Sequence, residues 1–201
     1  MKLALEEKPE GKPIVVITAN GKTDLKILEA LANRHNHQTD KTLYIPQRTY
    51  THLGGLKPSI EALTTILHHQ PITDTYIILI DKEHIKNPNQ IPQQLQAHGI
   101  TPTNTQQKQN LIKTEATHGT KQITIYTAIL GKNKRIEENI AHLIKLEYDE
   151  QIEPDKKAIK TWLKQKDLTL HDLITQARKA NLEKALPQLT KLLKELTTQK
   201  P

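Results

Sequence analysis

Cysteine and phenylalanine are absent from this 201-residue sequence, and its only aromatic residues are one tryptophan and five tyrosines. Without cysteine the chain can form no disulfide, no thiolate metal site and no cysteine nucleophile. No apolar run approaches the roughly 20 residues of a membrane-spanning helix, and the amino terminus is too polar for a signal peptide. We therefore expect a cytoplasmic protein with no membrane partner and an aliphatic core.

Positive charge is concentrated towards the carboxyl terminus. The whole chain has a formal net charge of +7. Residues 1–150 hold 18 basic and 16 acidic side chains, a net charge of +2, whereas residues 151–201 hold 11 and 6, a net charge of +5. A basic balance favours a polyanionic partner such as DNA or RNA, and so few aromatic residues predict binding through phosphates rather than base stacking. A solvated helix face is the alternative explanation of these lysines.

Residues 13–150 alternate between β-rich apolar runs and amphipathic helical patterns. The clearest buried strands are predicted at 14–18 and 75–80, which are continuous runs of apolar, aromatic and β-branched residues. Further strands are predicted at 42–46 and 121–130, and helices near 23–32, 60–69, 88–98 and 134–147. Strands that alternate with helices in this way predict an α/β domain with a mostly parallel sheet flanked by helices.

The two ends of the chain differ from this central domain. Residues 1–12 are polar and predict a flexible leader. Residues 151–201 predict a basic helical extension of three short helices, near 155–166, 169–180 and 187–198. Four leucines at helical spacing give the last helix an apolar face, which indicates either packing in the core or docking of a protein partner: Leu189, Leu192, Leu193 and Leu196.

Polar residues follow the two clearest strands. The sequence NGKTD (residues 20–24) leads from the first strand into a helix, and Asp81-Lys82-Glu83 ends the strand at 75–80. Ligands of open parallel sheets bind outside the carboxyl ends of the strands. Two carboxylates separated by one residue, as in Asp81 and Glu83, can both approach one Mg²⁺ ion. Alternatively, Asp81 caps a turn and Glu83 is solvated. A P-loop is excluded because the motif requires glycine where Val16 stands.

Four segments, in this order, resemble the Toprim domain of topoisomerases, primases and nucleases, and in particular the small Toprim proteins and OLD-type nucleases. They are IVVITANGKTDLKILEAL (14–31), HLGGLKP (52–58), IILIDKEH (77–84) and RIEENIAHLI (135–144). In that family Glu-Gly-x-x-Asp follows the first strand, and Asp-x-Asp follows a later one. Gly21, Asp24 and Asp81 match these motifs. Glu83 replaces the second aspartate, and Asn20 stands where the glutamate belongs.

The resemblance implies a site that holds Mg²⁺ or Mn²⁺ beside a phosphate. Asp81, Glu83 and Asp24 would form its catalytic set with Asn20 as a degenerate member. Asp81 and Glu83 would ligate the metal together with an acid at a later helix start, for which Glu138 and its neighbour Glu137 are the candidates. Such carboxylates hold ions that stabilise charge developing on phosphate oxygens.

Lysines near these motifs are candidates for binding the substrate. Lys22 and Lys82 lie within the two motifs, and Lys57 follows the Gly54-Gly55 loop of the third segment, so all three are predicted to bind phosphate. In the basic extension three lysines share one helical face and are predicted to bind nucleic acid: Lys156, Lys160 and Lys164.

Asn20 leaves the activity open. An amide exchanges no proton near neutral pH and brings no negative charge to a cation. Either the site is degenerate and the protein binds nucleic acid without cutting it, or Asp24, Asp81, Glu83 and a third acid suffice for metal-dependent cleavage of a phosphodiester. The alternative outside this class is a non-catalytic scaffold whose basic helical extension docks a protein or RNA partner.

Overall fold

The structure is a computed structural model of the chain. It describes residues 1–5, 12–19, 21–34, 39–46, 54–69 and 72–198. Asn20 therefore lies outside the described residues.

The described residues form seven strands and eight α-helices, numbered here in the order in which they follow along the chain. The strands are β1 (Lys2–Leu5), β2 (Lys12–Thr18), β3 (Lys41–Ile45), β4 (Thr75–Asp81), β5 (Thr101–Lys108), β6 (Leu111–His118) and β7 (Lys121–Leu130). The helices are α1 (Lys22–Asn33), α2 (Leu56–His69), α3 (Gln90–Ala97), α4 (Ile136–Tyr148), α5 (Lys156–Gln165), α6 (Leu170–Gln176), α7 (Lys179–Ala185) and α8 (Pro187–Thr198). A single 3₁₀ turn, Lys82–His84, follows β4.

All seven strands belong to one sheet, in the order β1-β3-β2-β4-β7-β6-β5. Neighbours from β1 to β7 pair in parallel, and the β5–β6 hairpin adds two antiparallel strands at one edge. The prediction of an α/β fold with a mostly parallel sheet is therefore confirmed. Among the described helices, none is long and apolar enough to span a membrane.

The amino-terminal segment departs from the prediction of a flexible leader over residues 1–12. Lys2–Leu5 form β1, which pairs in parallel with β3 at the edge of the sheet, and the side chain of Met1 is fully buried. Polar residues follow this short strand in the sequence, so its few apolar residues do not form a run long enough to predict a strand. Residues 6–11 lie outside the described residues.

Helices cover both faces of the sheet. Alternate residues of the central strands point to opposite sides, so Val16, Ile77 and Leu79 pack with α1 and α4, whereas Ile17 and Ile78 pack with α2 and α3. Strand β5 is different, because seven of its eight residues are exposed and the eighth is half-buried. It forms the polar edge of the sheet.

The carboxyl-terminal helices belong to the same core. α5 to α8 share one hydrophobic cluster with α1, α4 and the sheet, and the four leucines predicted on one face of α8 are fully buried there. Arg34, next to the end of α1, donates hydrogen bonds to the carbonyls of Ile174 and Ala177 at 2.9 and 2.7 Å. The apolar stripe of α8 is thus a core contact, which leaves the exposed lysines of these helices as the part that faces solvent.

Candidate functional site

The centre of the sheet holds a topological switch point. β2 and β4 are parallel neighbours, with Val15 opposite Tyr76 and Thr18 opposite Leu79. From β2 the chain crosses to β3 on one side, whereas the next partner of β4 is β7 on the other side. A crevice at the carboxyl ends of β2 and β4 is where open α/β sheets bind their ligands. The strands that end in the two predicted motifs are therefore adjacent.

The turn between β2 and α1 places Asp24 in this crevice. Gly21 occupies the N-cap position of α1 with φ of +106°, a conformation that a residue with a side chain rarely adopts. The Thr18 hydroxyl donates a hydrogen bond to Oδ2 of Asp24 at 3.1 Å and accepts one from the Gly21 N–H at 3.3 Å. Asp24 is only 1% exposed. A carboxylate in the first turn of a helix also interacts favourably with the helix dipole.

Asp81 ends β4 and joins it to a distant helix. Its Oδ1 accepts a hydrogen bond from the backbone N–H of Ile136, the first residue of α4, at 3.0 Å. The side chain satisfies one of the N–H groups that every helix start leaves unpaired. Asp81 therefore does not cap the turn that follows it, as the alternative to a metal site expected, but binds the start of a distant helix beside the other acids of the crevice.

Glu137, the second residue of α4, is the third buried acid. It is 2% exposed, and no group among the described residues donates a hydrogen bond to its Oε1. The cation nearest to that oxygen is Lys156 of α5, whose Nζ lies 3.8 Å away and whose side chain is 71% exposed. A buried carboxylate oxygen with so weak a partner is costly unless another cation or donor approaches it.

These acids act on one another through the low dielectric of the crevice. Burial, followed by the charge of Asp24, raises the pKa of Asp81 from 3.8 to about 7. The charges of Glu137 and Glu83 raise it further, whereas the hydrogen bond from Ile136 lowers it. The protonated form of Asp81 is therefore favoured far more than in an exposed aspartate.

The structure separates the two glutamates that the sequence offered as a later metal ligand. Oε2 of Glu138, the predicted ligand, accepts hydrogen bonds from the N–H groups of Asn133 at 2.6 Å and Lys134 at 3.1 Å. Burial raises the pKa of Glu138, but hydrogen bonds from backbone N–H groups outweigh it and lower the pKa overall. Glu138 therefore holds the preceding loop, and Glu137 is the residue whose charge acts on Asp81.

Glu83 lies at the rim of the crevice. It belongs to the 3₁₀ turn, its side chain is 36% exposed, and its Oε2 lies 3.6 Å from Nη2 of Arg135. Its charge acts on Asp81, so the two carboxylates are close enough to interact. Glu83 is less buried than Asp24 and Glu137, which makes it a peripheral member of the acidic group.

The three buried acids do not form a closed metal cage. Within the described residues, no group of three or more histidine, aspartate or glutamate side chains is arranged so that it could hold a metal ion. A Mg²⁺ ion needs no such cage, because it keeps several waters and takes one or two protein carboxylates. Asp24 and Asp81 have the burial and the charge for that kind of site.

Two of the three predicted phosphate-binding lysines, Lys22 and Lys82, follow the strands that end at the crevice. Lys22 is exposed in the first turn of α1, and Lys82 is half-buried in the 3₁₀ turn. In the first turn of α2, Nζ of Lys57 lies 3.9 Å from Oε1 of Glu61. A Cβ atom on Gly55 would lie 3.7 Å from the His84 ring, so the start of α2 contacts the turn that carries Glu83.

The lysines predicted to bind nucleic acid form an exposed row on α5. Lys156, Lys160 and Lys164 follow one another at intervals of four residues and are all exposed. Of these three, Lys156 is the one that approaches a buried acid. With a rise of 1.5 Å per residue, the row extends about 12 Å along the helix.

Two features of the candidate site are not predicted by the sequence. Glu137 is there only an alternative to Glu138, because two adjacent glutamates at a helix start cannot be told apart by pattern. The loop KNKR (132–135) is absent from the predicted site altogether. Its signal is nevertheless present, since it follows a predicted strand just as Asp81-Lys82-Glu83 does and has three cations in four residues.

No protein-family model, no curated protein and no solved structure matches this chain. The resemblance to the Toprim family therefore rests on the four sequence segments alone.

Proposed function

We propose that this chain is a Toprim-like protein that binds or processes nucleic acid with the help of Mg²⁺ or Mn²⁺ at the crevice between β2 and β4. The observation that carries the proposal is the convergence of three buried carboxylates, on Asp24, Asp81 and Glu137, at the switch point of the sheet. Buried like charges destabilise one another, and a divalent cation is the ligand that relieves this repulsion most directly.

The chemistry of the donors fits a hard cation. Carboxylate oxygens are the ligands that Mg²⁺ prefers, and the crevice offers them at the ends of rigid elements. Asp24 and Asp81 would hold the ion. Glu137 would orient a water molecule beside the ion, or would accept a proton from that water. When bound, the ion supplies stabilisation of negative charge on phosphate oxygens.

The lysines around the crevice complete the proposed site. Among the described residues, neither Lys22 nor Lys82 forms an ion pair with the acids, so both are free to contact phosphate. Lys22 is exposed and Lys82 is half-buried, and both follow the strands that end at the crevice. Lys156, with its Nζ 3.8 Å from Oε1 of Glu137, offsets part of the charge of that carboxylate.

A metal-dependence assay with matched variants tests this proposal. We would incubate labelled single-stranded DNA, duplex DNA and RNA with the protein in Mn²⁺, in Mg²⁺ and in EDTA, and measure metal binding by calorimetry. Asp81→Asn keeps an oxygen for the Ile136 N–H while it removes the charge. Asp40→Asn is the control, because Asp40 is exposed and precedes β3 at the opposite end of the parallel strands.

We expect metal binding by the wild type and by Asp40→Asn, and a loss of at least tenfold in metal affinity for Asp81→Asn. Cleavage that disappears with Asp81→Asn would identify an active nuclease. Metal binding without cleavage would support the degenerate site, in which Asn20 replaces the family glutamate, and Asn20→Glu should then increase the metal affinity. A wild type that binds no metal and cleaves nothing would reject the proposal.

One observation favours the alternative of a non-catalytic scaffold. Lys156 already provides a cation 3.8 Å from the buried Oε1 of Glu137, so part of the acidic group is neutralised within the chain. In a scaffold the acids would serve only to hold α4 and α5 against the sheet. The prediction that separates the two is Lys156→Met: it should increase metal affinity at a metal site, whereas in a scaffold it should only lower the stability.

A further inference from the structure

The loop between β7 and α4 presents a dense group of cations beside the crevice. We call residues 132–135 the basic loop. Its sequence is KNKR, and all four residues are exposed. The loop begins where β7 ends, next to the end of β4, and leads directly into the α4 turn that carries Glu137.

The basic loop is held in one conformation from both sides. Oε2 of Glu138 accepts hydrogen bonds from the N–H groups of Asn133 and Lys134, and the carbonyl of Lys134 accepts one from the Glu83 N–H at 2.9 Å. Gly131 precedes the loop with φ of +87°, and a Cβ there would lie 2.5 Å from the backbone nitrogen of Arg135. The tight turn therefore requires glycine.

Most of the charge of this loop is left unpaired within the protein. Arg135 lies 3.6 Å from Glu83, whereas Lys132 and Lys134 have no carboxylate oxygen within 4 Å among the described residues, although the charge of Lys134 helps to lower the pKa of Glu138. Two lysines separated by one residue on a fixed backbone repel each other. A mobile loop could move the two charges apart at little cost in free energy. A backbone fixed by three hydrogen bonds against this repulsion is suited to a partner with negative charge.

We propose that the basic loop binds the backbone phosphates of a nucleic acid, and that Glu138 acts as a positioning residue that holds the loop for this contact. The inference rests on the proposed function for what happens at the crevice, but the binding itself requires no metal. Lys132 and Lys134 are the phosphate-binding residues, and their place beside the acids would lay the strand across the crevice.

The surroundings favour an extended polyanion over a single phosphate or a lipid surface. The α5 row of lysines begins at Lys156, whose Nζ lies 3.8 Å from Oε1 of Glu137, and extends about 12 Å along the helix. A strand that contacts both the basic loop and this row must be several nucleotides long. A membrane surface would need exposed apolar anchors, and the only large exposed hydrophobic residues among those described are Ile72 and Tyr148, outside the basic loop.

The direct test compares binding of the full chain to labelled DNA and RNA 20-mers by fluorescence anisotropy in EDTA, from low to high salt. The variant is Lys132→Ala with Lys134→Ala. The control is Lys145→Ala with Lys179→Ala, which removes the same charge at the far end of α4, where Arg178 contacts Glu147. We expect the slope of log K against log salt, which is negative, to decrease in magnitude by about 1 for each lysine removed from the basic loop. For the control pair the slope should hardly change. Equal effects of the two pairs would overturn the proposal.

Glu138 gives a second test in which charge and position predict opposite signs. Glu138→Ala removes a negative charge, which alone would strengthen binding to a polyanion, yet it also releases the N–H groups of Asn133 and Lys134. We expect weaker binding in EDTA for Glu138→Ala, and binding tighter than wild type for Glu138→Gln, which loses the same charge but keeps an amide oxygen that accepts hydrogen bonds. Tighter binding by Glu138→Ala would overturn the positioning role.

The outcomes also distinguish this inference from the proposed function. If the wild type binds nucleic acid in EDTA through the basic loop but binds no metal, the proposed metal site is rejected and the loop is retained. If metal binds but loss of Lys132 and Lys134 leaves binding unchanged, the loop is rejected and the metal site is retained. Circular dichroism of each variant verifies folding, and the exposed lysine variants keep the test valid should Glu138→Ala fail to fold.

Discussion

The carboxylate of Asp81 accepts a hydrogen bond from the backbone N–H of Ile136, 55 positions further along the chain. This contact connects the end of β4 to the start of α4. The same carboxylate lies among the acids of the crevice, where burial and the charge of Asp24 raise its pKa. One side chain thus contributes to the stability of the fold and to the charge of the candidate site, and substitutions there separate the two roles.

Substitution of Asp81 should reveal its capping role at pH 5, where the carboxyl is protonated in the folded protein. Asp81→Asn keeps an oxygen for the Ile136 N–H and should change the free energy of unfolding by less than about 0.5 kcal/mol. Asp81→Ala leaves that buried N–H without a partner and should lower the free energy by about 1–3 kcal/mol. Urea unfolding in EDTA measures both, and equal losses would contradict the capping role.

The pH dependence of stability should carry the signature of the Asp81 pKa. The folded-state pKa of about 7 is above the unfolded value of 3.8, so the protonated carboxyl favours the folded state. Its contribution is fully present below about pH 4 and is lost as the pH rises through 7. In EDTA, Asp81→Asn should therefore gain stability relative to the wild type between pH 4 and pH 7. A difference that is constant over this range would show that the pKa is not raised.

Gly131 should tolerate substitution far less than another glycine with positive φ. In Gly131→Ala the new Cβ would meet the backbone of Arg135 at 2.5 Å, in addition to the strain of φ at +87°. Gly119 has φ of +58° and no atom within 4 Å of the place that a Cβ would take, so Gly119→Ala is the matched control. We expect a loss of roughly 1 kcal/mol for the control and at least twice that for Gly131→Ala. Thermal unfolding of both variants decides the comparison.

Removal of residues 151–201 should unfold the protein rather than leave an intact α/β domain. Leu189, Leu192, Leu193 and Leu196 are fully buried in the cluster that contains α1 and α4. A truncated chain would expose that face of the sheet to water, at about 25 cal/mol for each Å² of apolar surface. We expect the fragment 1–150 to lack a cooperative thermal transition. A cooperative transition close to that of the full chain would show that the carboxyl-terminal helices form a separate unit.

The central strands could be predicted because their physical signal is local. Residues 14–18 and 75–80 are nearly continuous apolar runs, as expected for parallel strands buried on both faces, and the structure has them in β2 and β4. Because polar residues follow both runs, Asp24 and Asp81 could be predicted to lie near the carboxyl ends of strands, where open parallel sheets bind ligands. The buried stripe of α8 followed from periodicity in the same way.

The strands at the edges of the sheet carry no such signal. β5 reads TPTNTQQK, and its exposed residues have neither an apolar run nor an alternation with a buried face. β1 has four residues and obtains its hydrogen bonds from β3, about 40 positions away. The choice between Glu137 and Glu138 also depended on tertiary structure, because the direction of each side chain follows from how α4 meets β4 and the basic loop.

The polar edge strand has a consequence for how the protein behaves at high concentration. An open β-strand can pair with a strand of another molecule and so begin aggregation. In β5 this hazard is reduced by Pro102, which lacks an N–H, by the irregular pairing between Pro102 and Asn104, and by the charge of Lys108 at the other end. A sheet that ends in this strand is poorly suited to grow by addition of further chains.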